Sequence, residues 1–449
     1  MTNEAPTNIT GVMVERLFGL YDYALGKYGD GQPFESNLIV LYGDNGCGKT
    51  TLLRLVYHLL SKEQKRGHRT ALGSIPLRRF VVRLEDGSEV GMARDGESIR
   101  GSYRFFIARP GSVERSCLAV MNQEGAVNPP GDPESEAHWA ATMEALASLN
   151  VALYYLPDNR RPESQSVQDS SIDIDAEELD FVMTQQAGRL VTQRRVRPER
   201  HVLDATISDL ENLIRDEALR ASGIGEANIN SIYAEIAKRV LQAKGQALAA
   251  SQAQARELTQ TLGDLMERSK PFSRLGLLPP LDLRELIELT GHAKATTRRI
   301  LASVLQPYVE SVSARLEALG STQRLVDTFV GTLNGFYSQK RVNFDLRQGL
   351  RILQPDGTRL SPLALSSGEQ QMLLLFCNTV RARAQATILI IDEPELSLNV
   401  KWQRRLIEAL LQLVVGTRVQ FVLATHSIEL LAKHKQAVVR LGSPPAGLE

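Results

Sequence analysis

The chain has 449 residues, of which 43% are hydrophobic and 23% charged, a composition typical of a globular protein with two or three domains. Lysine plus arginine and aspartate plus glutamate number 52 each, so no global basic field favours nucleic acid. The cysteines (Cys47, Cys117, Cys377) have neither metal-site spacing nor a disulfide pattern, and no apolar run is long enough to span a membrane. We therefore expect a cytoplasmic protein without a membrane partner.

A glycine-rich loop follows the first strongly apolar strand. Leu38–Tyr42 predicts a buried strand, LLRLVYHLL predicts a helix, and GDNGCGKTT between them fits the pattern G-x-x-x-x-G-K-[ST]. In such a loop, backbone N–H groups surround a β-phosphate, the lysine reaches the β- and γ-phosphate oxygens, and the next hydroxyl binds Mg²⁺. The sequence thus predicts an ATP and Mg²⁺ site formed by Gly43, Asn45, Gly46, Gly48, Lys49, Thr50 and Thr51.

The following stretch has the alternation typical of antiparallel strands. Between Arg78 and Arg109, the turn pairs Asp86-Gly87 and Asp95-Gly96 separate segments of alternating polarity. We expect a β-rich subdomain here. Further on, Val151–Leu156 predicts another strand, which ends in Pro157-Asp158.

A helical insertion is expected in the middle of the chain. No proline occurs between Glu199 and Lys270, and small or apolar residues recur three or four apart from Ile229 to Ala253, a narrow alanine-rich seam typical of a helical hairpin. Leu281–Leu319 predicts a further helix, and an arm of about 40 residues would reach roughly 60 Å. The arginines at positions 194, 195, 197 and 200 form either a solvated face or an anion or nucleic-acid contact.

The C-terminal third brings three more signals. In LALSSGEQQ, Ser366 or Ser367 is a natural helix N-cap, with Glu369 at capping-box distance from Ser366, and the first N–H groups of such a helix suit an anion. The apolar strand Ile388–Ile391 leads into Asp392 and Glu393, and a second strand leads into His426. Because ligands bind at the carboxyl ends of parallel strands, we expect these side chains in one site.

The phosphate loop, LSSGEQQ, ILIIDEPE and THS, in this order, resemble the head of an ATP-binding-cassette ATPase of the SMC-like type. The resemblance implies an α/β fold, with a parallel sheet that carries the phosphate loop, an antiparallel β subdomain and an inserted α-helical hairpin arm. The corresponding division is residues 1–180 for the first head lobe, 181–325 for the insertion and 326–449 for the second lobe.

The same resemblance implies residue roles. Asp392 would hold Mg²⁺ through water, Glu393 would be the general base, and His426 would be the switch histidine. Ser367, Gly368 and Glu369 would contact ATP held by a partner subunit, so that the protein acts as a dimer or higher homo-oligomer. The motif Leu396–Asn399 would be the D-loop. The chain lacks a clear Q-loop glutamine, and Asp158-Asn159-Arg160 stands in its place; Tyr21 or Tyr23 would either stack on adenine or belong to the core.

The wording DEPELSLN and the short arm are similar to bacterial anti-phage ATPases, which include the N-terminal half of overcoming-lysogenization-defect nucleases. The resemblance is strongest to the ATPase subunit of the PARIS system, with the Septu ATPase subunit as the alternative. This implies an ATP-hydrolysing sensor and scaffold that holds and releases a separate nuclease effector, TOPRIM-like in the PARIS case, in response to a phage-encoded trigger protein. The alternative is a DNA-repair ATPase whose arm clamps DNA. A transporter energiser is disfavoured because such ATPases do not usually carry so long a helical insert.

Overall fold

The computed structural model describes residues 8–29, 31, 33–34, 37–63, 66–158, 163–164, 180–186, 189–195, 200–226 and 252–442. The chain divides into two compact units. The first comprises Met1–Val202 and Ser366–Glu449, and the second comprises Leu203–Leu365. Most of the expected alanine-rich seam lies outside the described residues, as do Arg197 of the arginine run and Asn159 and Arg160.

The first unit contains most of the strands. In its N-terminal segment the elements are β1 (Ile9–Leu17), β2 (Tyr21–Gly26), β3 (Leu38–Tyr42), α1 (Lys49–Leu60), α2 (His68–Ser74), β4 (Arg79–Leu84), β5 (Glu89–Ala93), β6 (Tyr103–Ala108), β7 (Arg115–Met121), β8 (Val127–Asn128), α3 (Pro133–Ala147), β9 (Leu153–Leu156), β10 (Glu163–Ser164), β11 (Asp180–Gln186) and β12 (Arg189–Arg195).

The second unit is mainly helical and ends in a small sheet. Its elements are α4 (Arg200–Glu226), which begins three residues before the unit boundary, α5 (Gln252–Arg274), α6 (Arg284–His292), α7 (Ala295–Phe336), β13 (Arg341–Asp345), β14 (Gly349–Leu353) and β15 (Arg359–Leu360). The chain then returns to the first unit with α8 (Ser367–Gln385), β16 (Ile388–Asp392), α9 (Val400–Leu413), β17 (Gln420–Thr425), α10 (Ile428–Leu431) and β18 (Val438–Arg440).

The predicted antiparallel subdomain is a seven-stranded sheet in the order β2-β1-β4-β5-β6-β7-β8. From β4 to β8 the strands follow the chain as a meander, whereas β3, α1 and α2 intervene in the chain between β2 and β4. The turn Asp86-Gly87 joins β4 to β5, and Gly87 has a φ of 82°, which glycine adopts without the steric cost of a Cβ atom. The prediction of a β-rich subdomain is confirmed.

A six-stranded sheet in the order β10-β9-β16-β17-β3-β18 carries the predicted site. The pairs β9/β16, β16/β17, β17/β3 and β3/β18 are parallel, and only the short β10 is antiparallel to its neighbour. The strands β9, β16 and β17 are buried at every position, as expected for strands covered on both faces. All five parallel strands end at the same edge, where β3 leads into the phosphate loop.

The helix α1 is packed between the two sheets in one continuous core. Its buried leucines join side chains from β1, β4, β6, β9 and β16. The fully buried Gln420 connects the sheets directly, because its amide accepts a hydrogen bond from Ile9 N at 2.8 Å and donates one to Ile9 O at 3.0 Å. The C-terminal end of α1 is capped by buried Arg69, which donates to the carbonyls of His58, Leu59 and Ser61.

In the second unit, α5 packs on α6 and α7, and α7 packs on β13. The 42 residues of α7 correspond to a length of about 60 Å. The small sheet belongs to this unit, since Leu346 N donates to Leu275 O and Leu350 N donates to the Glu211 carboxylate. The unit thus runs from Leu203 to Leu365, whereas the sequence division placed the insertion at 181–325 and assigned β13–β15 to the second lobe.

The strand context of the motifs supports the expected fold class, a parallel α/β sheet with an antiparallel subdomain and inserted helices. No helix in the described part of the chain has the length and hydropathy needed to cross a bilayer.

Candidate active site

The phosphate loop turns sharply between β3 and α1. Gly46 and Gly48 have φ values of 87° and 89°, a left-handed conformation that strains any residue with a Cβ atom. A Cβ atom on Gly43 would lie 2.8 Å from Cys47 Sγ and 2.9 Å from Leu441 O, so this position is also restricted to glycine by space. The loop therefore continues directly into the N-terminus of α1. There the free backbone N–H groups and the positive end of the helix dipole favour an anion.

Lys49 is held on the loop itself. It is buried, and its Nζ donates to Gly43 O and Asp44 O, each at 2.9 Å. Burial of an ammonium is costly unless it is hydrogen-bonded, and these two carbonyls provide the bonds. The amine is thus placed over the loop, where the sequence predicts phosphate oxygens.

Thr50, at the start of α1, lies close to Asp392, at the end of β16. The Asp392 carboxylate lies at the end of β16 and is 2% exposed, and the Thr50 hydroxyl is near enough to lower its pKa by hydrogen bonding. Burial, together with the charges of Glu393 and Asp158, raises the pKa of Asp392 to about 6, although hydrogen bonding by Thr50 and the charge of Arg54 oppose the shift. A buried carboxylate and a hydroxyl are hard oxygen donors of the kind that Mg²⁺ prefers, so these residues fit the expected metal.

Glu393 and His426 also come together. Glu393 Oε1 lies 3.5 Å from His426 Nδ1, and each follows a strand, β16 and β17 respectively. Glu393 has a φ of 44°, an uncommon conformation for a residue with a side chain, and its N–H donates to Ala424 O at 2.9 Å. Backbone strain of this kind is frequent at functional sites.

A second glutamate behind this pair was not singled out from the sequence. Glu395 is 5% exposed, and its Oε1 accepts hydrogen bonds from Thr425 Oγ1 and from His426 N. The same oxygen lies 3.7 Å from His426 Nδ1. Glu395 lies two residues after Glu393, where an exposed loop would be expected. Nothing in the sequence indicates that its side chain is buried.

The signature segment forms the first turn of α8. Ser366 is the N-cap, and both its N–H and its hydroxyl donate to Glu369 Oε2, so the predicted capping box is present. Ser367 and Gly368 follow at the start of the helix. A Cβ atom on Gly368 would lie 2.7 Å from Ser397 O, so glycine lets the helix start approach the 396–399 loop. In this conformation the Glu369 carboxylate serves the helix cap.

Of the two tyrosines considered for adenine, Tyr23 belongs to the core. It is 8% exposed, and its hydroxyl donates to Cys47 O and Gly442 O, at the back of the phosphate loop. Tyr21 stacks on Tyr23, with ring centroids 5.7 Å apart.

A different aromatic side chain faces outward at the loop. Phe18 lies in the turn between β1 and β2, has a φ of 56° and is 39% exposed. Its Cε2 would lie 3.6 Å from a Cβ atom placed on Gly48. Nothing in the sequence favours Phe18 over the neighbouring tyrosines, because the exposure of its side chain depends on this turn.

Asp158 lies at the strand end where a Q-loop glutamine would be expected. The register pairs Leu156 of β9 with Ile391 of β16, so that Asp158 follows β9 at the edge where Asp392 ends β16. Its charge contributes to the raised pKa of Asp392. In the described part of the chain, no group of three or more histidine, cysteine, aspartate or glutamate side chains could hold a metal ion by itself.

A family model matches the part of the chain that carries Asp392, Glu393 and His426. The model of the family described as "AAA domain, putative AbiEii toxin, Type IV TA system" matches residues 202–432, more than half of the chain. Two curated relatives are lipoprotein-releasing system ATP-binding proteins LolD. The protein from Ruegeria pomeroyi is 43% identical over 81 residues, 18% of this chain and 33% of that protein; the one from Ruegeria sp. is 39% identical over 72 residues, 16% and 30% of the two chains. The chain thus spans about a third of these relatives' length.

Solved Smc head domains resemble the chain distantly. One from Pyrococcus furiosus, with an extended coiled coil and bound to the C-terminal domain of ScpA, has 12% identity and a TM-score of 0.39, with 97% of this chain and 93% of that chain covered. One from Pyrococcus yayanosii has 12% identity and a TM-score of 0.36, with 97% and 95% covered. The family match, which extends from α4 past His426 to the end of α10, shows that the chain belongs to the AAA domain family of putative AbiEii toxins of type IV toxin–antitoxin systems.

Proposed function

We propose that the protein is a Mg²⁺-dependent ATPase of the ATP-binding-cassette, SMC-like type. The observation that carries the proposal is the meeting of four side chains at one sheet edge: Thr50 close to Asp392, and Glu393 beside His426. These residues come from three separate segments of the chain, and each has the chemistry that phosphoryl transfer requires.

In this proposal Thr50 and Asp392 hold Mg²⁺, which when bound neutralises charge on the β- and γ-phosphates. Lys49 moves from the loop carbonyls to the phosphate oxygens, and the loop N–H groups bind the β-phosphate. Glu393 accepts the proton of the attacking water as general base. His426, beside Glu393, orients that water and contacts the γ-phosphate.

Phe18 extends the same site toward the base. An exposed aromatic ring beside Gly48 can stack on adenine, whereas Tyr23 is committed to the core by its two hydrogen bonds. We assign the base platform to Phe18 for this reason.

The active form is a pair of copies in which Ser367 and Gly368 of one copy contact ATP bound by the other. Three exposed apolar side chains lie on the segments around His426: Leu396 is 40% exposed, Val400 49% and Ile428 70%. A second copy would cover them. The exposed first turn of α8 stands beside the same loop and provides N–H groups for a phosphate.

The biological role proposed is that of a sensor and scaffold in anti-phage defence, which holds a separate TOPRIM-like nuclease and releases it when a phage-encoded protein engages the assembly. The family description, with its putative abortive-infection toxin, supports a role in such systems. ATP turnover gives the scaffold two states that a bound partner can distinguish.

ATP turnover by the purified protein, measured with and without Mg²⁺, tests the chemical part. Glu393→Gln should abolish turnover while ATP binding is retained, and Glu134→Gln, on the exposed first turn of α3, is the matched control. Turnover at the wild-type rate by the Glu393 variant would reject the assignment of the base. For the biological part, the neighbour-encoded protein should co-purify with wild type and with Glu393→Gln, and the trigger should release it only from wild type. Salt-dependent DNA binding without any protein partner would favour the DNA-clamp alternative.

A further inference from the structure

A closed ring of hydrogen bonds joins the 396–399 loop to the segment that carries His426. Leu398 N donates to Glu395 O at 2.9 Å, and Gln403 Nε2 donates to Leu398 O at 2.8 Å. Ser427 Oγ donates to Gln403 Oε1 at 2.8 Å, and Ser427 N donates to Thr425 Oγ1 at 2.9 Å. Thr425 Oγ1 donates to Glu395 Oε1 and closes the ring. None of its five members has a predicted role in the chemistry.

The ring includes the residues on both sides of His426 in the chain. Thr425 and Ser427 are its chain neighbours, and Glu395 Oε1, a member of the ring, also accepts the His426 N–H at 3.1 Å. Glu395 and Thr425 are 5% and 1% exposed, so these bonds are protected from competition with water. The backbone of His426 is therefore held at three consecutive residues.

The buried carboxylate of Glu395 depends on the ring. Its Oε1 receives two hydrogen bonds, whereas Oε2 is buried without a hydrogen-bond partner. A buried carboxylate is unfavourable unless its bonds are kept, so Glu395 has little freedom to leave the Thr425–His426 segment. Any movement of Glu395 must take His426 with it.

The opposite side of the ring holds a strained loop. Ser397 has a φ of 63° and lies inside the turn that the Leu398 N–H closes on Glu395 O. Gln403, on α9, binds both Leu398 and Ser427 through the two ends of one amide. This side chain is the part of the ring that connects the loop to the His426 segment without passing through Glu395.

We propose that Gln403 and Glu395 are positioning residues that hold His426 at its 3.5 Å distance from Glu393 and make this distance depend on the conformation of the 396–399 loop. The inference rests on the proposed ATPase function for its kinetic consequence, but not for its structural one. A contact that moves Leu396 or Ser397 would be transmitted through Gln403 to His426. The ring thus gives a physical route from the surface around Leu396 to the catalytic pair.

Gln403→Met tests the proposal, because methionine keeps the length of the side chain and removes both hydrogen bonds. Gln412→Met, at an exposed position of the same helix, is the matched control. We expect Gln403→Met to lower kcat about tenfold to a hundredfold with little change in ATP affinity, since small misplacements in an active site have costs of this size. Ser427→Ala removes the adjoining bond and serves as a second variant if the first folds poorly.

Repeating Gln403→Met in a His426→Ala background distinguishes a role of Gln403 that acts through His426 from a purely structural role. If Gln403 acts through His426, the substitution should change kcat less than about twofold there, since interacting residues are not additive. An unchanged kcat in the single variant, or an equal loss in both backgrounds, would overturn the proposal.

A second measurement does not require turnover. The measurement is an NMR spectrum of protein isotopically labelled at its 7 histidines, in which the ring signals of His426 are those that disappear in His426→Gln. Gln403→Met should shift them in the nucleotide-free protein, and Gln412→Met should not. If wild type hydrolysed no ATP, the proposed function would fail and this measurement alone would decide the inference: unmoved His426 signals would reject it.

Discussion

The hydroxyl of Thr50, at the start of α1, lies near enough to the buried carboxylate of Asp392, at the end of β16, to lower its pKa by hydrogen bonding. The strand β17 lies between β16 and β3, the strand that leads into the phosphate loop, so this contact spans the centre of the parallel sheet. This contact joins the phosphate loop to the acidic end of β16. Burial and two nearby carboxylates raise the pKa of Asp392 to about 6, so its charged form is disfavoured.

This raised pKa predicts a pH dependence of stability. Between the ordinary pKa of 3.8 and about 6, the folded protein binds a proton at Asp392 that the unfolded chain has lost, so the free energy of unfolding falls as pH rises through this range. Asp392→Asn should remove this component and stabilise the nucleotide-free protein at pH 7 by about 1 to 3 kcal/mol. Urea unfolding at several pH values measures it. Asp264→Asn, at an exposed position of α5, is the control, and an unchanged pH profile in the Asp392 variant would contradict the prediction.

Mg²⁺ should reverse the same penalty. Millimolar Mg²⁺ with ATP is expected to raise the unfolding temperature of wild type and to raise it much less in Asp392→Asn, because the metal binds only the state with a carboxylate at this position. Thermal unfolding with Mg²⁺, with EDTA and with each nucleotide tests this. Equal stabilisation of both proteins would remove Asp392 from the metal site.

Phe18 is expected to set the affinity for the base. Phe18→Ala should weaken ATP binding about tenfold, which corresponds to an aromatic stacking contribution of about 1 to 1.5 kcal/mol. Inorganic triphosphate, which has no base, should bind both proteins alike. Leu20→Ala, an exposed residue of the same turn, is the control. A loss of affinity for triphosphate as large as that for ATP would mean that Phe18 supports the loop and not the base.

Two inactive variants should complement each other if sites are shared between copies. Lys49→Ala removes phosphate binding and Ser367→Arg blocks the first turn of α8, so a mixed pair retains one site with both halves intact. We expect partial recovery of ATP turnover that depends on the mixing ratio. Native mass spectrometry must show that mixed pairs form; mixed pairs without turnover would argue against shared sites.

The pair His58 and His68 predicts acid lability. Their Nδ1 atoms are 3.0 Å apart, and burial lowers the pKa of His58 to about 4 and that of His68 to about 3, with Arg69, Arg54 and Arg66 opposing protonation. Because the unfolded histidines take up protons near their ordinary pKa of 6.5 and the folded ones do not, stability present above that pH is lost as pH falls toward 4.

His58→Gln should flatten this acid dependence by about 2 to 4 kcal/mol between pH 7 and pH 4. His138→Gln, which is exposed on α3, should not alter it. Denaturant midpoints for the three proteins at each pH provide the measurement. A His58 variant with the wild-type acid profile would mean that other groups govern acid unfolding.

Local sequence was enough for the features that depend on neighbouring residues. The glycine loop between Tyr42 and Lys49, the capping box of Ser366 and Glu369 and the apolar run before Asp392 are each contained in one short segment, and the structure has each in its predicted strand or helix context. The turn at Asp86-Gly87 is of the same kind, since left-handed backbone there requires glycine regardless of the rest of the chain.

Other features depended on which segments meet. The burial of Tyr23 and the exposure of Phe18 differ because one side chain points into the core between the sheets and the other stands on a strained turn, and hydrophobicity alone does not distinguish them. The small sheet β13–β15 joined the helical unit because Glu211 and Leu275 bind its backbone.

The sequence by itself determined the phosphate loop, the strand ends that carry Asp392, Glu393 and His426, and the cap of α8, because hydrogen-bonding periodicity and glycine conformation are local properties. Only the tertiary structure decided that Thr50 binds Asp392 and that Glu395, Gln403 and Ser427 form one ring. Such contacts join residues far apart in the chain, and their partners are chosen by strand order and side-chain burial, which no short segment encodes.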